Sequence, residues 1–231
     1  MFLLFSANPG LSFELLSILF DCSISTVCRY LCLMGKVVRH GLGGLVYWPD
    51  AERRAELAEL GFTNSKGVLL GAIGAVDGTH FDIYRPTSNQ ELYFSGHLRR
   101  HCLSARAVVG MDRKILFLSV GFPGSFSDSN CFKRSGLYLT PERFFSDGEY
   151  LLGDSAYKRT EYLKTVSRFD GHREEQRQIK RCRVLVENVF GAWKNKWRHL
   201  SIRMFKSNTD AANFIVSLGC LYNLGVDLYG V

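Results

Sequence analysis

The order of apolar patterns along the chain predicts a mixed α/β fold, a sheet with helices on its faces. Three observations carry that reading. Val68–Val76 is continuously apolar, as in a central strand covered on both faces. Cys102–Met111 and Lys114–Gly121 alternate like the two arms of a hairpin around Asp112-Arg113. Arg173–Trp197 repeats its apolar residues at helical spacing. At 231 residues, 46% hydrophobic and 22% charged, the chain suffices for one large domain and a smaller appendage.

Taken in order, the first helix is predicted from Ser12, with Leu15, Leu16, Leu19 and Phe20 on one face, until the polar break at Asp21-Cys22-Ser23. A second follows from Ser25 to Val38, capped by Ser23 or Ser25, with Val27, Tyr30, Leu31 and Met34 aligned. Two readings stand for this pair. It is a helix-turn-helix whose second helix enters a groove, with Arg29, Lys36 and Arg39 as its cations, or a structural or dimerising helix pair. Gly41–Gly44 marks a boundary, which divides the chain into a helical segment (1–45), a connector (46–69) and a larger unit (70–231). In the connector, Asp50 caps a helix that ends at Leu60, and Gly61–Gly67 returns to loop. After the hairpin, Pro123-Gly124 stops the chain, Ser127–Gly136 forms a short helix and Tyr150–Asp154 another strand. The long basic helix Arg173–Trp197 and an apolar helix Asn208–Asp227 close the fold.

Charge and composition narrow the function. Ten basic residues (Arg173, Arg177, Lys180, Arg181, Arg183, Lys194, Lys196, Arg198, Arg203, Lys206) and three acids lie between Gly171 and Lys206, an excess equal to the whole chain's net +7. A field so concentrated favours a polyanion, most simply a nucleic acid backbone; the alternative is a solvated helix face. Seven scattered cysteines with no C-x-x-C pair predict reduced thiols, hence cytosol or nucleus. Met1–Phe5 is apolar without a basic leader, which predicts no secretory signal. The longest apolar run, Gly67–Val76, falls short of the roughly 18 residues a membrane span needs, so no membrane partner is expected. Neither a G-x-x-x-x-G-K loop nor a G-x-S-x-G elbow occurs. His97 with His101, and Cys28 with Cys32, are spaced to share helix faces, but nothing joins the pairs into a zinc site.

The chemistry concentrates in three acids. Ile73–Asp77 and Tyr150–Asp154 are strand-like runs that each end on an aspartate, followed by the small residues Gly78-Thr79 and Ser155-Ala156. If the strands are neighbours, their C-terminal ends form the crevice where open sheets bind ligands. Adjacent carboxylates repel unless one is protonated or a divalent cation joins them; the alternative is that each caps a turn. On the long helix, Ile179, Cys182, Val186, Val189, Phe190, Trp193 and Trp197 form the apolar stripe. Glu187 falls on its shoulder beside Arg183 and Lys194, near Lys180 and Arg198. It is an i, i+4 partner of Arg183, or a metal ligand whose basic neighbours grip phosphates. Trp193 and Trp197 pack the core or stack bases.

Four segments in sequence carry a family resemblance: Gly71-Ala-Ile-Gly-Ala-Val-Asp-Gly-Thr-His80, Gly124-Ser-Phe-Ser-Asp-Ser129, Leu152-Gly-Asp-Ser-Ala-Tyr157 and Arg183-Val-Leu-Val-Glu-Asn-Val-Phe-Gly-Ala-Trp-Lys194. From Gly71 to Val226 the chain resembles the PIF/Harbinger DDE transposase superfamily, including its domesticated nuclease-like members, with Leu221-Tyr-Asn-Leu224 similar to its closing helix. Where the family usually has a histidine in the middle motif, Ser127 precedes Asp128 here, and Lys158–Gln178 lacks the usual proline-rich and Phe-Asn elements. The resemblance implies an RNase H-like fold and a DNA endonuclease working with Mg²⁺ or Mn²⁺. It assigns catalysis and metal binding to Asp77, Asp154 and Glu187, with Asp77 bridging two ions. It further implies DNA contacts by Lys180, Arg183, Lys194 and Arg198, a Myb-like DNA-binding protein or a second copy of the chain as partner, and a nuclear location. The alternative is a domesticated DNA-binding or scaffold protein without cutting activity.

Overall fold

An eleven-residue strand, β1 (Ala72–Asp82), lies in the middle of a six-stranded sheet. The computed structural model describes residues 1–166, 173–201 and 207–230. Gly171, Arg203 and Lys206, part of the basic stretch, lie outside the described residues, as does part of the Lys158–Gln178 segment. On one side β1 pairs antiparallel with β3 (Arg100–Gly110). That strand pairs with β4 (Ile115–Pro123) and, at its start, with β2 (Phe94–Ser95). On the other side β1 runs parallel to β5 (Tyr150–Gly153), and β5 to β6 (Leu163–Thr165). The result is the mixed α/β sheet flanked by helices that the sequence predicts, compatible with an RNase H-like fold.

Asp112-Arg113 closes the β3–β4 hairpin. Arg113 adopts φ 69°, and the Asp112 carboxylate accepts from the Lys114 amide at 3.1 Å, the local bond that makes Asp a turn residue. The strand expected at Val68 begins only at Ala72, because the Leu69 amide already donates to Ser65 Oγ at 2.8 Å.

Three helices open the chain: α1 (Phe2–Ala7), α2 (Phe13–Leu19) and α3 (Ile24–Leu42). Ser12 and Ser23 cap the latter two, accepting from the Leu15 and Thr26 amides. α1, at six residues, is too short to show a period and was not expected. Of the predicted α2 face only Leu16 is buried; Leu15, Leu19 and Phe20 are exposed, as is Tyr30 on α3. α3 continues past Val38 to Leu42, so the glycine break is helix followed by a 3₁₀ turn over Gly43–Leu45. Next, α4 (Ala51–Asn64) is capped by Asp50, which accepts from the Arg53 amide at 2.9 Å. It runs through Gly61 rather than ending at Leu60. A Cβ at Gly61 would lie 2.1 Å from the Ala72 carbonyl oxygen, so this glycine is contact between helix and β1, not a break.

Three short helices follow, α5 (Gln90–Tyr93), α6 (Asp128–Phe132) and α7 (Gly136–Leu139), then the long α8 (Arg173–Lys196) and α9 (Asn208–Tyr229). α8 buries the predicted stripe: Trp193 is fully buried, edge-on to Phe81 of β1 at 5.5 Å, and Trp197 is buried too. Both tryptophans are therefore core residues. α9 is long and apolar enough to cross a membrane by length and composition alone, but Ala211, Phe214, Ile215 and Leu218 are buried in the protein core. Asn223 of α9 ties it to the sheet, donating to the Ile115 and Leu45 carbonyls and accepting from the Ile115 amide. α3 lies along α9. Lys36 sits 3.7 Å from Asp210, and Arg39 donates to Asn213 Oδ1 at 2.5 Å, so both exposed cations have partners on α9. All seven cysteines are free thiols.

Candidate functional site

β1 outruns its parallel neighbour, and that difference creates the site. Ala75 lies opposite Leu152, and continuing the register brings Asp154 beside Asp77 just as β5 ends at Gly153. β1 runs on to Asp82, paired there with β3. Asp77 is thus within a strand rather than at its end, as the sequence had suggested. It is open on the side that β5 vacates.

Each aspartate is oriented by the residue after it. Asp77 Oδ1 accepts from the Gly78 amide at 2.8 Å, and Asp154 Oδ1 accepts from the Ser155 amide at 2.6 Å and hydroxyl at 3.2 Å. α8 then brings a guanidinium among the acids. Arg183 Nη2 donates to Asp77 Oδ2 at 3.3 Å and to Glu187 Oε1 at 3.1 Å, and Nη1 lies 3.7 Å from Asp154 Oδ1. The three predicted carboxylates therefore share one cation, and the i, i+4 pair of Arg183 with Glu187 is part of that cluster. Three acids around one base leave a formal excess of two negative charges in a chain whose net charge is +7. Burial, only partly offset by the Gly78 amide and Arg183, pushes the Asp77 carboxyl above its ordinary range.

The opposite face of β1 carries a second ion pair that the sequence reading missed. Gly78 faces Arg106 across the β1–β3 ladder. The buried Arg106 side chain crosses the glycine to reach Asp128 Oδ1 at 2.6 Å, while its Nη1 donates to Ser104 Oγ and the Ala105 carbonyl. A Cβ at residue 78 would meet Asp128 Oδ1 at 2.6 Å and Arg106 Nη1 at 2.7 Å. The Asp-Gly pair thus places a carboxylate on one face and clears room on the other. A lone arginine in the apolar run Leu103–Val109 was the available signal. Ser127 caps α6 through the Asn130 amide, which sets Asp128 at the start of that helix.

The remaining predicted residues divide. Lys194 is turned inward, donating to the His80 carbonyl at 3.0 Å and lying over the Phe81 ring at 4.9 Å; burial lowers its pKa. Lys180 is exposed two turns before Glu187 on the same shoulder of α8, and Arg198 is exposed in the 3₁₀ turn (Arg198–Ser201) beyond the helix end. His101 is on β3 and His97 in the turn before it, so they share no helix face; Cys28 and Cys32 both lie on α3.

The donor set is all carboxylate oxygen, the chemistry of Mg²⁺ and Mn²⁺ sites. The identity of the donors fits a divalent ion. The present spacing fits a guanidinium: among the described residues no three His, Cys, Asp or Glu side chains are gathered closely enough to hold an ion. The side chains of Glu187 and Asp154 are 55% and 46% exposed, so the cluster opens to solvent. Cavities of about 440 and 360 Å³ lie elsewhere, lined by none of the three acids. An open cluster beside exposed cations suits a polymer better than an enclosed small molecule.

Residues 76–223 match the family model described as DDE superfamily endonuclease. The chain is also 23% identical over 198 residues to the Arabidopsis thaliana protein Antagonist of Like Heterochromatin Protein 1, an alignment covering 78% of this chain and 50% of the relative. The chain thus spans about half the length of that relative. No solved structure matches it.

Proposed function

We propose, from the premise that the chain belongs to the DDE endonuclease superfamily, in its Harbinger-type transposase-derived branch, that it is a divalent-metal-dependent DNA endonuclease. The observation that carries this reading is the convergence of Asp77, Asp154 and Glu187, from three separate elements, on one positive charge. Mg²⁺ or Mn²⁺ would be held by these carboxylates. When bound, the ions supply Lewis acidity at the scissile phosphate and a lowered pKa for the attacking water.

The chain's own groups supply the rest. The Gly78 and Ser155 amides fix one oxygen each of Asp77 and Asp154, which reduces the reorganisation needed as charge develops. Lys180 and Arg198 contact the phosphates of the strand, and residues 70–231 form the catalytic unit. DNA as substrate implies a nuclear location, and a Myb-like protein or a second copy of the chain would supply target recognition. The test is nicking of supercoiled plasmid with Mg²⁺ or Mn²⁺ by the wild type, Asp77→Asn and Glu187→Gln. Nicking by the wild type alone is expected. Equal nicking by all three, or none by any, removes the enzyme reading.

A further inference from the structure

We propose that Arg183 is a place-holder for the metal: it neutralises the three carboxylates before an ion binds, and the ion displaces it outward to a phosphate of the DNA. The inference rests on the reading that Asp77, Asp154 and Glu187 are the metal ligands.

Four observations support it. First, one guanidinium reaches all three acids, at 3.3, 3.7 and 3.1 Å, whereas the nearby cations do not: Lys194 is held by the His80 carbonyl, and Arg106 by Asp128 across the strand. Second, the neutralisation is incomplete, since one positive charge faces three negative ones. A doubly charged ion, more compact than a guanidinium, is the better counter-ion for the same oxygens.

Third, Arg183 is poorly satisfied where it sits. Its Nε is buried and, among the described residues, meets no acceptor. An unmade bond to a buried donor is costly, so leaving this position recovers part of what the move loses. Arginine cannot surrender its charge by losing a proton, so it yields the carboxylates only by moving. Fourth, an exit exists. The Arg183 side chain is 14% exposed, but its partners Glu187 and Asp154 are 55% and 46% exposed, and Lys180, one turn earlier on α8, faces solvent, as does Arg198 just past the helix end. A guanidinium moved there joins two cations already facing solvent, and its planar fork matches phosphate oxygens. Metal and DNA would then bind with positive coupling, because the ion releases the group that grips the strand.

The test uses the full chain with Mn²⁺ alone as the metal probe, followed by electron paramagnetic resonance, for the wild type, Arg183→Gln and Arg183→Lys. Removing the competing charge in Arg183→Gln is expected to tighten Mn²⁺ binding about tenfold. Arg183→Lys, a point charge that cannot span three carboxylates, is expected to fall between. Binding of a short duplex, read by fluorescence anisotropy with Ca²⁺ or with EDTA, should strengthen with Ca²⁺ for the wild type and not for Arg183→Gln. Equal Mn²⁺ affinity in wild type and both variants overturns the exchange while leaving the metal ligands intact. Absence of Mn²⁺ binding by all three folded proteins overturns the metal-site reading and the exchange with it.

Discussion

Gly78→Ala tests whether the site depends on the ion pair behind it. The added methyl would stand 2.6 Å from Asp128 Oδ1 and 2.7 Å from Arg106 Nη1. Arg106 is 1% exposed and held by Ser104 and the Ala105 carbonyl, so it cannot retreat; the Asp128 side chain, 33% exposed, can. Overpacking at such a position costs ~1–3 kcal/mol. Parting a buried guanidinium from its carboxylate costs roughly 3–5 kcal/mol. The structure takes the cheaper route, a shift of Asp128 with the pair stretched rather than lost, so the expected destabilisation is about 3 kcal/mol. Gly191→Ala is the control: that glycine is exposed within α8 and a Cβ there meets nothing within 4 Å. It should gain ~1 kcal/mol from helix propensity alone. Urea unfolding at equilibrium measures both. A loss in Gly78→Ala below ~0.5 kcal/mol, beside a normal gain in Gly191→Ala, would refute the tight crossing of Arg106 over residue 78.

Two further outcomes follow from buried polar groups. His199 lies against the Phe5 ring at 3.8 Å, and burial lowers its pKa to about 4 from an ordinary 6.5. The unfolded chain binds the proton first, so stability is full above pH 6.5 and falls as the pH drops toward 4. The whole loss is ~3 kcal/mol. His199→Phe should flatten this pH dependence in urea titrations across that window, and an unchanged slope would contradict the assignment. Asn223→Ala leaves the amide and carbonyl of Ile115 without their α9 partner, and the Leu45 carbonyl likewise. A loss of about 3 kcal/mol is expected by thermal melting, and a loss under ~1 would show that water replaces the side chain.

The readable parts of the chain were those with a strong local period or a local cap. The hairpin, the long helices α8 and α9 and the Asp50 cap lie close to where the pattern puts them. The misplacements arise where tertiary contact overrides local signal. Gly61 reads as a helix stop until β1 packs against it. Asp77 reads as a strand end because polar residues follow it, yet β3 keeps pairing with residues 78–82. α1 has too few residues for any period, and the exposed Leu15 and Leu19 show that the α2 stripe is broader than its buried face. The three acids were legible as types in motifs. Their meeting point was not, since it needs the register of β5 against β1 and the rotation of α8.

Two arginines flank adjacent residues of one strand, and the balance of charge around each separates structure from site. Arg106 is enclosed, bonded to Ser104, Ala105 and Asp128, and opposite a glycine that makes room for it. A buried charge matched one to one with a carboxylate fixes the ladder at Gly78 and resists removal. Arg183 is shared among three acids that outnumber it, two of them with exposed side chains. Burial simultaneously raises the Asp77 carboxyl, which means that the ionised state is held at a cost to the fold. Such a cluster is stabilised by whichever cation serves it best, and a guanidinium serves it poorly. The same side-chain chemistry thus builds a closed lock on one face of β1 and an open one on the other, where β5 stops and α8 comes within reach.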